Sequence, residues 1–111
     1  MAKIHSVNAQ TLQQWLKSSE AVLVDVREVS EHQAEYIQGS QNLPLSTLNL
    51  DGANLPKHEG KKLVIHCLAG GRSAMACQQL VCDGTNIDIW DLEGGINAWK
   101  SAGLKVKALT N

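Results

Sequence analysis

The apolar positions of this chain fall into short blocks with two different spacings. Ala21, Val22, Leu23 and Val24, with Val26 beyond Asp25, form a β-branched-rich run, the pattern of a strand covered on both faces. Residues 63–66 predict a second such strand, and residues 85–90, with Ile87 and Ile89 alternating, a last one. Residues 41–45 read as a short extended segment that Pro44 ends or holds at an edge. Between these blocks the spacing is helical. Leu12, Trp15 and Leu16 share one helical face behind Asn8, a good N-cap, with Val7 placed to staple onto Leu12. Residues 30–36 predict a short helix that is polar on most sides. Residues 73–82 predict a longer helix, and residues 93–100 a final one that Gly103 can terminate. The stretch 48–60 reads as a loop, broken by Asp51-Gly52, Pro56 and Gly60.

Strands and helices therefore alternate, which predicts an α/β fold: a mostly parallel sheet with helices on both faces. Residues 1–111 read as one domain, without a repeat, a low-complexity tract or an interdomain linker. Ten basic and eleven acidic residues leave a formal net charge of −1. That balance gives no electrostatic case for nucleic acid or an anionic membrane surface. No uninterrupted apolar run exceeds four residues, so none is long enough to span a bilayer. The first residues lack the apolar stretch of a secretory signal, and a cytoplasmic location is the expectation.

Three cysteines, Cys67, Cys77 and Cys82, make neither a disulfide framework nor a C-x-x-C pair. His66 precedes Cys67 directly, but adjacent strand residues point to opposite faces, so the two are poorly placed as joint ligands. Neither a metal nor an organic cofactor is expected. The pattern suits one reactive thiol and two buried bystanders.

Cys67 stands where the second apolar strand ends and a helical pattern begins, the edge at which open α/β sheets collect ligands. Ala69, Gly70 and Gly71 are small enough for the backbone to curl and turn successive N–H groups inward. Such a nest, with the first amides of the helix behind it, favours an anion. Arg72 adds a permanent positive charge. Each feature favours thiolate over thiol, and cysteines in such settings have pKa values of roughly 3.5 to 7.5.

The residues nearby carry their own expectations. Arg72 can bind an incoming anion or salt-bridge a carboxylate while closing the loop. Asp25 and Arg27 share the rim with Cys67, and a bracing ion pair is the preferred reading over direct chemistry. Asp91 and Glu93 are expected to cap the last helix. Cys77 falls on a face with Ala74, Leu80 and Val81 as core filling, and Cys82 is treated alike. His66 reads as a strand residue with a satisfied ring, and Trp15, Trp90 and Trp99 as core or cover residues.

Three ordered blocks give the chain a family resemblance. The first is Leu23-Val24-Asp25-Val26-Arg27-Glu28, followed by Glu31, Ile37, Gly39, Asn42 and Pro44. The second is Cys67-Leu68-Ala69-Gly70-Gly71-Arg72-Ser73. The third is Leu92-Glu93-Gly94-Gly95-Ile96-Asn97-Ala98-Trp99, with Gly103-Leu104 and Val106. Together they resemble the single-domain rhodanese family over nearly the whole length. Tyr36, Gln38 and Lys105 stand where that family commonly has a histidine and two prolines, and all three lie away from the cysteine.

The resemblance implies a five-stranded rhodanese-like domain and a thiosulfate sulfurtransferase-type activity with Cys67 as the catalytic residue. It further implies that Leu68, Ala69, Gly70, Gly71, Arg72 and Ser73 form the anion-binding loop, with Asp25 and Arg27 in support. The implied partners are a small sulfur donor, thiosulfate or a persulfide, and a cyanide or thiol acceptor, with a protein sulfur acceptor as a further candidate. The uncharged interior of the loop suits holding a persulfide better than capturing thiosulfate. A sulfane-sulfur sensing or persulfide-carrying module is the alternative from another class. Related phosphatases use one residue more between cysteine and arginine, and the four residues here form the tighter ring, which favours sulfur over phosphate.

Overall fold

The computed structural model describes residues 3–48, 55–82 and 88–109, with Cys82 described in its backbone alone. In chain order the elements are β1 (Ile4–Val7), α1 (Ala9–Lys17), β2 (Ala21–Asp25), α2 (Val29–Ala34), β3 (Gln41–Asn42), β4 (Lys62–His66), α3 (Gly71–Cys82), β5 (Ile89–Leu92) and α4 (Gly95–Ser101). A 3-10 turn at Leu45–Thr47 follows Pro44. The strands form one sheet in the order β1-β5-β4-β2-β3, and every neighbouring pair is parallel.

Period-two alternation divides the core into two layers. Leu23 and Val64 point to the face covered by α1 and α4, where they meet Leu12, Leu92, Ile96 and Trp99. Val24, Leu63 and Ile65 point to the other face, where Ala76, Cys77 and Leu80 of α3 cover them. This two-sided burial explains why β2 and β4 read as continuous apolar runs. Asn8 caps α1 by accepting the Thr11 N–H at 2.8 Å, and Val7 and Leu12 are buried in the same cluster.

Several boundaries differ from the sequence reading. β1 was not separable from the approach to α1, because its four residues expose Ile4 and Ser6 and bury Val7 alone. The final strand runs from Ile89 to Leu92, later than residues 85–90, part of which lies outside the described residues. α3 starts at Gly71, two residues before the predicted helix, so its first turn belongs to the cysteine loop. Ala74 faces solvent and Ala76 takes its place in the core beside Cys77.

The chain runs outward from β2 to β3 on one side and from β4 to β5 on the other. The order therefore reverses between β2 and β4, and it is at the carboxyl ends of such a strand pair that open α/β sheets bind ligands. Asp25 and His66, paired in register, end these two strands at that edge. Among the described residues, no helix is long and apolar enough to cross a membrane.

Candidate active site

Cys67 follows directly on β4 at this edge of the sheet and is 1% exposed. Its carbonyl accepts the Ile96 N–H at 2.9 Å, and the Leu68 carbonyl accepts the Asn97 N–H at 3.0 Å. Both acceptors thus face the first turn of α4, which satisfies two of that helix's free amides. With the carbonyls turned outward, the loop amides turn toward the sulfur. The Gly70 N–H donates to Cys67 Sγ at 3.1 Å, a geometry reached with Gly70 at φ +119°. Ser73 Oγ lies 3.5 Å from Sγ; it accepts from the thiol while donating to the Gly70 carbonyl at 3.1 Å, and its hydroxyl can turn to donate to the thiolate once the proton has left.

Gly95 makes this docking possible. A Cβ on Gly95 would lie 2.4 Å from the Cys67 carbonyl oxygen and 2.6 Å from that of Leu68, and its φ is +61°. The Gly94-Gly95 pair was visible in the sequence as part of the closing block, but its service to the cysteine loop was not.

Burial pushes the Cys67 thiol up, but the Ser73 hydroxyl and the amides of Ser73, Gly70 and Ala69 outweigh it and hold the pKa below 9.0. Cys77, buried without such donors, is pushed up to about 12 by burial, with Asp91 and Cys67 adding to it. Iodoacetamide at pH 7 is therefore expected to label Cys67 and spare Cys77 in the folded protein, as peptide mapping would read directly. Ser73→Ala should slow that labelling roughly threefold to tenfold, the effect of losing one hydrogen bond worth about 1 kcal/mol. Equal labelling of the two cysteines would contradict the cradle.

Beneath the loop lies a buried charge cluster. Arg27 Nη2 reaches Asp25 Oδ2 at 2.8 Å, Arg27 Nε lies 3.0 Å from Oδ1, and the Arg27 backbone N–H donates to Oδ1 at 2.9 Å. His32 Nδ1 is 2.9 Å from Asp25 Oδ2. His66 Nδ1 is 3.0 Å from the Cys67 carbonyl. The other His66 nitrogen, Nε2, is buried 3.9 Å from Asp25 Oδ2 and has no hydrogen bond among the described residues, so the ring is half satisfied rather than fully. Burial favours the neutral form of His66 and pulls its pKa below 6.5.

Arg72 makes a two-pronged ion pair with Glu31, at 2.7 and 2.9 Å. Of its two expected partners, a donor anion or a carboxylate, the carboxylate holds it here. Glu31 in turn accepts the Glu28 N–H at 2.9 Å, as the third residue of a capping box at the start of α2. Glu31 and His32 both escaped the sequence reading as site residues. Their helix looks polar and unremarkable, and their partners lie elsewhere in the chain.

Asp91 and Glu93 do not cap α4. Its N-cap is Gly94, in the left-handed conformation, with no side-chain bond. Asp91 instead stands on β5 with Oδ1 buried and without a hydrogen-bond partner among the described residues. Burial raises its pKa, while Ser73 lowers it and Glu93 adds to the rise. Among the described residues, no group of three or more His, Cys, Asp or Glu could hold a metal ion.

Fold and site together define an α/β domain that cradles a thiol at the carboxyl edge of a parallel sheet. The chain belongs to the rhodanese-like family: the family model described as Rhodanese-like domain matches residues 8–102. It is 44% identical over 99 residues to the Synechocystis protein slr1261, covering 89% of this chain and 54% of that relative, so it spans about half the relative's length. It is 33% identical over 102 residues to the thiosulfate sulfurtransferase GlpE of Pseudoalteromonas translucida, covering 92% of this chain and 93% of that one. Among solved structures it is similar to a rhodanese-related protein from Thermoplasma volcanium, with a TM-score of 0.77, 35% identity and coverage of 93% and 97% of the two chains. These relationships support a sulfurtransferase-type activity.

Proposed function

We propose that the protein transfers sulfane sulfur through a persulfide on Cys67. The carrying observation is the ring around Sγ: an amide donor at 3.1 Å and a hydroxyl at 3.5 Å, in a loop whose own carbonyls face away. In the first half-reaction the Cys67 thiolate attacks the outer sulfur of a donor such as thiosulfate. The S–S bond of the donor breaks, sulfite leaves with the electron pair, and Cys67 keeps the transferred sulfur as a persulfide anion. The inward amides hold that charge as an oxyanion hole holds an alkoxide. In the second half-reaction a nucleophile takes the terminal sulfur and returns the thiolate. Cyanide leaves as thiocyanate, and a small-molecule or protein thiol leaves as its persulfide. This is covalent catalysis of ping-pong form. The engagement of Arg72 by Glu31 and the four-residue interior of the loop favour sulfur over phosphate as the group held.

Intact mass after thiosulfate treatment tests the reading. Wild type should gain one sulfur, lose it on addition of cyanide, and regain it on renewed treatment. Cys67→Ser should gain none. A Cys67→Ser protein that loads sulfur as the wild type does would remove Cys67 from the reaction.

A further inference from the structure

The charges around the loop do not suit a doubly charged donor. The chain has two arginines, Arg27 and Arg72, and no lysine between residues 63 and 99. Arg27 is 3% exposed and bound by Asp25. Arg72 is bound through both nitrogens of its fork by Glu31. Each guanidinium is thus matched by a carboxylate. A donor meets inward amides, a neutralised arginine and the negative sulfur of Cys67.

Glu31 is fixed in this role from both sides. Its Oε2 accepts the Glu28 N–H as well as an Arg72 N–H, so the capping box of α2 presents the carboxylate to the loop in a set position. The Arg72 hydrogen bonds hold its pKa down to about 2, against the opposing effect of burial, so it is ionised at any working pH. Arg72 also lies within electrostatic reach of the Cys67 sulfur. The surroundings are apolar as well as neutral. Leu68 in the loop, Met75 one turn past Arg72, and Val29 two residues before Glu31 are exposed hydrophobic side chains.

We propose that Glu31 is the specificity-determining residue of this site, and that its clasp on Arg72 selects singly charged organic sulfane-sulfur donors over the thiosulfate dianion. The inference rests on the Cys67 reading above. The donors it favours have the form of an organic persulfide or thiosulfonate. With a thiosulfonate, the Cys67 thiolate attacks the sulfane sulfur, its S–S bond breaks, and the organic sulfinate leaves with the electron pair. Cys67 is left as a persulfide anion, so two negative charges enter and two remain. Thiosulfate brings one charge more to the same loop, and a free Arg72 would be the group to meet it.

The test compares thiosulfate with benzenethiosulfonate, both read as thiocyanate formed with cyanide, in wild type, Glu31→Gln and Glu31→Ala. Glutamine keeps an acceptor for the capping box, and alanine gives a second reading if glutamine perturbs folding. The two donors differ in intrinsic reactivity, so the deciding quantity is how their kcat/KM ratio changes between proteins. The preference for benzenethiosulfonate should fall on the order of tenfold when Glu31 loses its charge, mainly through a lower KM for thiosulfate, as expected for one charge at a partly exposed site. A merely structural role would alter both donors alike. A ratio within about twofold of wild type in every folded variant would overturn the assignment to Glu31 and leave the Cys67 reading intact. Turnover of neither donor by wild type would overturn the Cys67 reading, and this inference with it.

Discussion

Gly95→Ala is expected to destabilise the protein by about 3 kcal/mol or more and to abolish the enhanced thiolate reactivity of Cys67. Two effects add. The left-handed backbone at φ +61° is strained for any residue with a Cβ, at about 1 to 3 kcal/mol. The new methyl group would also stand 2.4 Å from the Cys67 carbonyl oxygen and 2.7 Å from the Leu68 carbonyl carbon. These are backbone atoms, and they can retreat only by breaking the bonds from Ile96 and Asn97 that orient the loop. Once those carbonyls turn, the Gly70 amide no longer points at Sγ. Gly103→Ala is the matched control, because Gly103 has φ +80° but open space where a Cβ would stand. It should lose about 1 kcal/mol and keep normal Cys67 alkylation. Urea denaturation and the pH profile of alkylation read both variants. Equal losses in the two would show that the contact with the loop is not what fixes Gly95.

The fold was legible wherever a short segment carries its own signal. β2 and β4 announce themselves because both of their faces are buried, and Asn8 announces α1 because it bonds three residues ahead. β1 and β5 are harder to read. β1 has one buried side chain, and β5 carries Trp90 and Asp91 half-buried in its middle. An acid just before a helix usually caps it, whereas the Gly94-Gly95 turn leaves that position of α4 to glycine. The cysteine loop was legible because strand, small residues and arginine are consecutive. Glu31 was not, because its partner Arg72 lies 41 residues away and the local sequence shows the capping box alone. His32 is buried because Asp25 draws it in, a tertiary effect that no periodicity in a polar helix records.

Asp25→Ala should be the most damaging change outside the loop, destabilising the protein by about 3 to 5 kcal/mol. The reason is the partners it would leave behind more than the attraction it removes. Arg27 is 3% exposed, and without Asp25 its guanidinium would be buried with no counter-charge. His32 would lose its 2.9 Å partner, and the Arg27 backbone N–H would lose its acceptor. Asp25→Ala combined with Arg27→Met should recover part of the loss, since replacing a buried ion pair with apolar side chains is often nearly neutral.

The cluster also sets the acid sensitivity of the wild type. Burial keeps His66 neutral in the folded state, so below its ordinary value of 6.5 the unfolded chain binds the proton that the folded one refuses. Stability must therefore fall as pH drops below 6.5. Burial works against the Asp25 carboxylate, but the hydrogen bonds from Arg27 and His32 outweigh it and hold the pKa below 3.8. Its contribution is thus complete above 3.8 and is lost as pH falls through the lowered value. Urea titrations at neutral, mildly acidic and strongly acidic pH should show two successive losses in wild type. The lower one should shrink in the Asp25→Ala, Arg27→Met protein, and a wild type that gains stability between pH 7 and 5 would contradict the neutral, buried state of His66.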